Sequence, residues 1–140
     1  MNSQPKRILV IDDEADIREI AQLSLEVMMG WYVSTAPPGS VGLEKAIAQV
    51  PDLILLDVMM PDMDGPTTRR ALLNHPSTCS IPVIFLTAKV HNHQDYANLN
   101  LAAVLRKPFD PTLLGGQIIK ALGWPVVQAM PVYPQSQAGR

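Results

Sequence analysis

The sequence predicts an α/β protein in which helices cover both faces of a parallel five-stranded sheet. Five short apolar runs bounded by turn residues alternate with segments of helical periodicity. Short connections and right-handed crossovers between such elements force the strands to run parallel. The 140 residues are enough for one domain, and a hydrophobic content of 47% is enough for its core.

The strands are predicted from apolar runs that are too short to be helices. The third run, residues 53–56, reads Leu-Ile-Leu-Leu and leads directly into Asp57. An unbroken run of this kind is typical of a strand that is buried on both faces. The five strands are predicted at residues 8–11, 31–36, 53–56, 82–86 and 102–105.

The segments between the strands are predicted to be helices. The first spans about residues 14–29 and ends at Gly30, since glycine commonly follows the last helical residue. Its apolar face is predicted to consist of Ile17, Ile20, Ala21, Val27 and Met28. Further helices are predicted at residues 40–49, 67–74, 91–99 and 111–122, of which 91–99 is polar and only weakly periodic.

Composition limits the partners and the compartment. Eleven basic and 13 acidic residues give a formal net charge of −2, which favours neither a nucleic-acid nor a membrane partner. The single cysteine, Cys79, cannot form an internal disulfide, so a reducing, cytoplasmic compartment is expected. Residues 124–140 contain three prolines and no periodicity. They are predicted to form a flexible C-terminal tail behind a domain of residues 1–123.

Four of the strand ends carry polar side chains. These are Asp12 with Asp13, then Asp57, Thr87 and Lys107, and the carboxyl ends of parallel strands lie on one edge of a sheet. Three carboxylates in one place repel each other, a conflict that Mg²⁺ removes. Lys107 and Thr87 then offer an ammonium and a hydroxyl to a phosphate oxygen. The arrangement suits a carboxylate that receives a phosphoryl group, with Asp57 as the acceptor.

Each of these residues also has an ordinary explanation. Acidic residues after a strand often only solvate a loop, a threonine such as Thr87 often caps a turn, and a lysine such as Lys107 is most often a surface residue. The joint placement of all of them at strand ends favours the phosphoryl site over these separate explanations.

Four segments together resemble the receiver domain of two-component response regulators, in particular a stand-alone chemotaxis regulator. They are ILVIDD at 8–13, LILLDVMMPDMDG at 53–65, IPVIFLTA at 81–88 and KPF at 107–109. The resemblance covers about residues 7–122. It implies a flavodoxin-like, doubly wound sheet of strand order 2-1-3-4-5.

The resemblance also implies the roles of the acidic residues. Asp57 would be the phosphoacceptor, which receives its phosphoryl group from a histidine kinase or a phosphotransfer protein. Asp13, Asp57 and the backbone carbonyl of Met59 would bind Mg²⁺ directly, and Asp12 would act mainly through a metal-bound water. The chain would not be an enzyme beyond its self-catalysed phosphotransfer and dephosphorylation.

The resemblance implies further that Lys107 pairs with the phosphoryl group and that the Lys107–Pro108 peptide is cis. Thr87 would move to bind a phosphoryl oxygen. The switched surface would act on a downstream protein target without direct nucleic-acid contact, in a monomer or weak homodimer. Two departures affect this output: Val104 stands where the family often has a tyrosine or phenylalanine, and the segment between Thr87 and Lys107 is shorter than usual.

Two other functions share part of this pattern. A phosphate-independent interaction module of the same fold usually lacks one of the acidic, acceptor or lysine residues, and all are present here. A phosphatase of the haloacid-dehalogenase type needs a second aspartate two residues after its nucleophile, where this chain has Met59.

Overall fold

A computed structural model describes residues 4–88 and 93–125 of the chain. Five parallel strands form one sheet of order β2-β1-β3-β4-β5, which confirms the predicted architecture. The strands are β1 (Arg7–Ile11), β2 (Tyr32–Ala36), β3 (Leu53–Asp57), β4 (Val83–Thr87) and β5 (Ala103–Arg106).

In the described part of the chain, three α-helices and one 3₁₀ helix connect the strands, and a fourth α-helix follows β5. They are α1 (Ala15–Met29), α2 (Ser40–Gln49), α3 (Gly65–Leu73), the 3₁₀ helix His93–Leu99 and α4 (Pro111–Leu122). The helix predicted at 91–99 is therefore a 3₁₀ helix over its described residues, and 91–92 lie outside them. A 3₁₀ helix rises about 2.0 Å per residue, so it spans a gap with fewer residues than an α-helix.

The sheet separates two apolar clusters, as expected for strands buried on both faces. Alternate residues of each strand point to opposite sides. One cluster contains Leu56 and Phe85 and is closed by residues of α2, α3 and the 3₁₀ helix. The other contains Leu55 and Leu86 and is closed by residues of α1 and α4. All five residues of β3 are buried, as are all five residues of β4. Asp57 therefore stands at the end of a fully buried strand.

The predicted buried face of α1 is wrong at three positions. Ile20 is 42% exposed, Val27 is 72% exposed and Met28 is 45% exposed. The helix instead buries Ala21, Ser24 and Leu25. Because α1 carries apolar residues on more than one side, its spacing did not identify one face. The helix packs against α4 through its smaller residues, and the Ser24 hydroxyl donates a 2.5 Å hydrogen bond to the Pro111 carbonyl.

Gly115 lies at this contact between α1 and α4. A Cβ atom at this position would overlap the side chain of Met29 at the end of α1. At Gly116, by contrast, an added Cβ would meet nothing within 4 Å. The two adjacent glycines therefore differ: the first allows the helices to approach, whereas the second only lowers helix propensity.

The chain leaves the last helix against the amino-terminal side of the sheet. The ring of Trp124 packs edge-on against Trp31 at a centroid distance of 5.4 Å. The ammonium of Lys6 lies 4.6 Å from the Trp124 ring centroid. The rest of the predicted tail, residues 126–140, lies outside the described residues. Within the described ranges, every helix is too short or too polar to cross a membrane.

Candidate functional site

Three carboxylates meet at the carboxyl edge of the sheet. Asp12 directly follows β1, Asp57 ends β3, and these two strands are neighbours. Carboxylate oxygens of Asp12, Asp13 and Asp57 all lie within 4.8 Å of one another. Asp12 and Asp57 are buried, with 0% and 3% exposure, whereas Asp13 is exposed. The structure thus brings together the acidic residues of two strand ends that the sequence analysis selected.

Lys107 reaches into this cluster from the end of β5. Its ammonium lies 3.0 Å from Asp12 Oδ2 and 3.3 Å from Asp57 Oδ1. It also lies 3.5 Å from Oε1 of the mostly exposed Glu14. The Lys107–Pro108 peptide is cis, as the resemblance implied.

The charges in the site are not balanced. Burial and, after it, the negative charge of Asp12 raise the pKa of Asp57 to about 7 against the opposing effect of Lys107. Burial by itself would lower the pKa of Lys107, but its hydrogen bond to Asp12 and the charges of Asp12 and Asp57 raise it above its ordinary value. Three clustered carboxylates facing one ammonium leave a negative, oxygen-lined site, which is the donor set that Mg²⁺ prefers.

The loop after β1 is held by its own hydrogen bonds. Asp12 Oδ1 accepts a hydrogen bond of 2.9 Å from the backbone N–H of Glu14. The Arg18 guanidinium donates to the Asp12 carbonyl oxygen at 2.7 Å. The Asp12 side chain is therefore oriented by the first turn of α1, while its other oxygen remains bonded to Lys107.

The loop after β3 folds back onto the end of its own strand. The backbone N–H of Gly65 donates to the Val58 carbonyl at 2.9 Å, and Asp64 caps α3 by accepting from the backbone N–H of Thr67 at 2.9 Å. A Cβ atom on Gly65 would lie 2.7 Å from the Asp57 carbonyl oxygen. Glycine is therefore required at the point where α3 begins against the acceptor strand. Met59 lies in this loop with 60% exposure, and metal binding by its carbonyl stays a prediction.

Thr87 and Val104 lie on the adjacent strands β4 and β5. Thr87 ends β4 and is 2% exposed. Val104 pairs in register with Phe85 of β4, and the Phe85 ring packs edge-on against Tyr96 of the 3₁₀ helix at 5.0 Å. The branched side chain of Val104 thus lies beside an aromatic pair that joins β4 to the 3₁₀ helix.

One buried charge escaped the sequence analysis. Arg69, in the middle of α3, is 2% exposed and donates hydrogen bonds to carbonyl oxygens of the connection between β4 and β5. Helical spacing held the signal for it, because Gly65, Thr68 and Leu72 form the buried side of the same helix. An arginine among them is placed on the inner face of α3.

A family model described as the response regulator receiver domain matches residues 8–119, which is most of the chain. The chain belongs to this family. The fold and the edge of the sheet described above are those of a receiver domain, and the resemblance noted from the four sequence segments is confirmed.

Curated relatives of this receiver domain include longer regulators. The response regulator PleD of Caulobacter vibrioides is 42% identical over 116 residues, which cover 80% of this chain and 25% of the relative. The alkaline phosphatase synthesis transcriptional regulatory protein PhoP of Bacillus subtilis is 37% identical over 115 residues, covering 81% of this chain and 47% of the relative. The chain thus spans about a quarter to a half of the length of these relatives.

Solved structures of similar proteins have the same fold. The chemotaxis protein CheY4 of Vibrio cholerae superposes with a TM-score of 0.79 at 28% identity, covering 84% of this chain and 99% of that chain. The N-terminal domain of a response regulator receiver protein from Methanoculleus marisnigri gives a TM-score of 0.70 at 34% identity, covering 84% and 96%. Both agree with the receiver architecture derived from the strand order.

Proposed function

We propose that this receiver domain is a phosphorylated switch in which Asp57 accepts a phosphoryl group from a histidine kinase or a phosphotransfer protein. The observation that carries the proposal is the position of Asp57: buried at the sheet edge, clustered with Asp12 and Asp13, and 3.3 Å from the ammonium of Lys107. A carboxylate in such surroundings is a nucleophile with one cation, the Lys107 ammonium, already beside it.

In the proposed transfer, one carboxylate oxygen of Asp57 attacks the phosphorus of a phosphohistidine. A P–O bond forms, the P–N bond breaks, and the imidazole nitrogen keeps the electron pair. Asp57 must be ionised to attack, and the nearby ammonium of Lys107 favours that form. When the phosphoryl group is on Asp57, Lys107 is close enough to pair with one of its oxygens. Thr87 at the end of β4 would donate its hydroxyl to another.

Mg²⁺ is the proposed cofactor. Asp13, Asp57 and the Met59 carbonyl would hold it directly, with Asp12 acting through a bound water, and the chemistry it supplies is neutralisation of the carboxylate and phosphoryl charges. The grouping of three carboxylates within 4.8 Å supports this assignment. The chain's own residues then catalyse both transfer to Asp57 and later hydrolysis of the acyl phosphate.

The proposed organisation is a receiver domain of residues 1–123 and a tail of residues 124–140, acting in the cytoplasm as a monomer or weak homodimer. The downstream partner is a protein that binds the switched surface, with no direct nucleic-acid or membrane contact. A phosphate-independent interaction module is the alternative. It is less well supported, because the acceptor Asp57, its acidic neighbours and Lys107 are all present and in contact.

Intact mass measurement tests the acceptor. The protein is incubated with acetyl phosphate and Mg²⁺, and one phosphoryl adduct is expected. Asp57→Asn is expected to abolish the adduct, whereas Asp62→Asn, a change of an exposed aspartate in the same loop, is expected to retain it. A phosphoryl adduct on Asp57→Asn would contradict the assignment. Failure of the unchanged protein to accept phosphate from acetyl phosphate and from phosphohistidine donors would favour the phosphate-independent alternative.

A further inference from the structure

Arg69 is a buried charge whose guanidinium ends on backbone carbonyl oxygens. It is 2% exposed and is among the largest fully buried side chains. Its Nε donates to the Leu99 carbonyl at 2.8 Å, its Nη1 to the Ile81 carbonyl at 3.2 Å, and its Nη2 to the Asn100 carbonyl at 3.1 Å. Each nitrogen of the guanidinium therefore has a separate acceptor.

Two of these acceptors mark the end of the 3₁₀ helix. Leu99 is its last residue, and Asn100 follows in a left-handed conformation with φ of 52°. The last carbonyl groups of a helix have no partner within it, and a cation there is favourable. Arg69 caps this helix end from inside the protein, while its third bond, to Ile81, reaches the residues that lead into β4.

An arginine is suited to this position in a way that other residues are not. The planar guanidinium places three nitrogens in a fixed fork, whereas lysine has a single nitrogen on a flexible stem. An aliphatic side chain would pack against buried neighbours such as Leu72 but would leave buried carbonyl groups without donors. Burial lowers the pKa of Arg69, because it disfavours the charged form. The three hydrogen bonds to carbonyl oxygens offset this cost of burying the charge.

The position of Arg69 connects the end of the 3₁₀ helix to the phosphoryl site. Its helix, α3, begins at Gly65, whose N–H is bonded to the Val58 carbonyl one residue after Asp57. The 3₁₀ helix lies in the connection between β4, which ends at Thr87, and β5, which begins at Ala103. One end of this connection therefore starts at a proposed phosphoryl ligand, and the other end is held by a side chain from the helix that follows the acceptor.

We propose that Arg69 is a positioning residue that fixes the carboxyl end of the 3₁₀ helix, so that phosphorylation moves residues 93–98 about a stationary point at Leu99 and Asn100. The trigger of this motion rests on the proposed function. Because the stationary point precedes β5, that strand and Lys107, which directly follows it, stay in place while the segment before them moves.

Amide hydrogen exchange of the full chain with Mg²⁺, with and without beryllofluoride as the phosphoryl mimic, tests the proposal. Without the mimic, Arg69→Met is expected to speed exchange at residues 99–103 by roughly tenfold or more, since it removes the donors to two helix-end carbonyls. The matched control is Arg70→Met, which removes the same charge from the exposed neighbour on the same helix and is expected to leave residues 99–103 unchanged.

The change in amide exchange on adding beryllofluoride distinguishes a positioning role of Arg69 from a purely structural one. In the unchanged protein, beryllofluoride is expected to alter exchange at residues 93–98 and not at 99–103. In Arg69→Met the alteration is expected to extend through 99–103. The proposal is overturned if 99–103 already responds to the mimic in the unchanged protein, or if Arg69→Met leaves both the exchange rates and this boundary as they were.

Arg69→Lys keeps the test open if Arg69→Met does not fold. It retains the charge and the aliphatic stem, so it is expected to fold and still to show faster exchange at 99–103. Exchange identical to that of the unchanged protein would overturn the proposal.

If Asp57 takes up no phosphate, the proposed function fails, and the comparison without the mimic still decides whether Arg69 holds the helix end. If Asp57 is phosphorylated and the boundary at residue 99 is absent, only the present proposal fails.

Discussion

The ammonium of Lys107 lies 3.3 Å from Oδ1 of Asp57, although the strands that deliver the two residues, β3 and β5, are separated in the sheet by β4. The same ammonium bonds Asp12 at 3.0 Å. One cation therefore pairs with two buried carboxylates, and the remaining negative charge favours binding of a metal cation. The first two predictions follow from this imbalance.

Asp57 is expected to destabilise the metal-free protein at neutral and alkaline pH. Its pKa is raised from an ordinary 3.8 to about 7 on folding. The stability contributed by its protonated form is fully present below pH 3.8 and is lost as the pH rises through about 7. Asp57→Asn removes this titration. Its advantage over the unchanged protein in free energy of unfolding is expected to be about 2–3 kcal/mol larger at pH 8 than at pH 5.

Urea unfolding in the presence of a chelator measures this difference. Glu44→Gln is the control, because it removes a carboxylate from an exposed position of α2. That variant should follow the pH dependence of the unchanged protein. If Asp57→Asn raises the free energy of unfolding equally at pH 5 and pH 8, the pKa of Asp57 is not raised by its surroundings.

Mg²⁺ is expected to bind weakly and to depend on Asp13. Few protein ligands are offered, so the ion would keep several of its waters. Asp13 is exposed, so Asp13→Ala should leave the fold intact while lowering Mg²⁺ affinity about tenfold or more. Titration calorimetry measures the affinity. Glu14→Gln, a change at the mostly exposed neighbour that also approaches Lys107, is expected to have a much smaller effect. Equal affinities for Asp13→Ala and the unchanged protein would contradict the metal site.

Gly65 and Gly116 are expected to respond oppositely to alanine. A Cβ at Gly65 would lie 2.7 Å from the Asp57 carbonyl oxygen and 2.9 Å from Val58 Cα. Since both are backbone atoms that cannot rotate away, Gly65→Ala should lower the free energy of unfolding by about 2 kcal/mol or more. Gly116→Ala enters open space in α4 and should raise it by about 1 kcal/mol. Chemical denaturation of both variants measures these changes. An unchanged free energy of unfolding for Gly65→Ala would show that the loop after β3 can shift to accommodate the added Cβ atom.

Thr87 is expected to transmit phosphorylation without being needed for it. Thr87→Val keeps the shape of a buried side chain and removes its hydroxyl. The variant should still form the phosphoryl adduct by mass, but the response of residues 93–98 to beryllofluoride in hydrogen exchange should be largely lost. Thr35→Val, on β2 at the far side of the sheet, is the control. A full exchange response in Thr87→Val would mean that another group senses the phosphoryl oxygens.

Val104 fits a response centred on the connection after β4. It has no ring to reorient, and it packs beside the contact between Phe85 and Tyr96. Movement of the 3₁₀ helix would change that aromatic contact, whereas Val104 could only repack against it. The valine at this position therefore fits the proposed movement of residues 93–98 against a stationary β5.

The sequence by itself determined where the strands lie, that they run parallel, and which acidic residues meet at the edge of the sheet. Apolar runs, turn residues and helix caps are local signals, and the strand that ends at Asp57 was read from four consecutive residues. Asp12, Asp13 and Lys107 were predicted to meet because parallel strands end on one edge. The structure confirmed that meeting, since edge placement follows from topology and does not depend on how side chains pack.

Only the tertiary structure decided which face of α1 is buried and which groups accept the hydrogen bonds of Arg69. The apolar residues of α1 fit more than one face, and packing in one cluster with Leu114 and Ile118 of α4 buries the face that contains Ala21 and Leu25. The hydrogen bonds of Arg69 depend on the position of the 3₁₀ helix, whose last carbonyl groups accept them. Both outcomes depend on packing between distant segments, where the steric and hydrogen-bond demands of one element decide the environment of another.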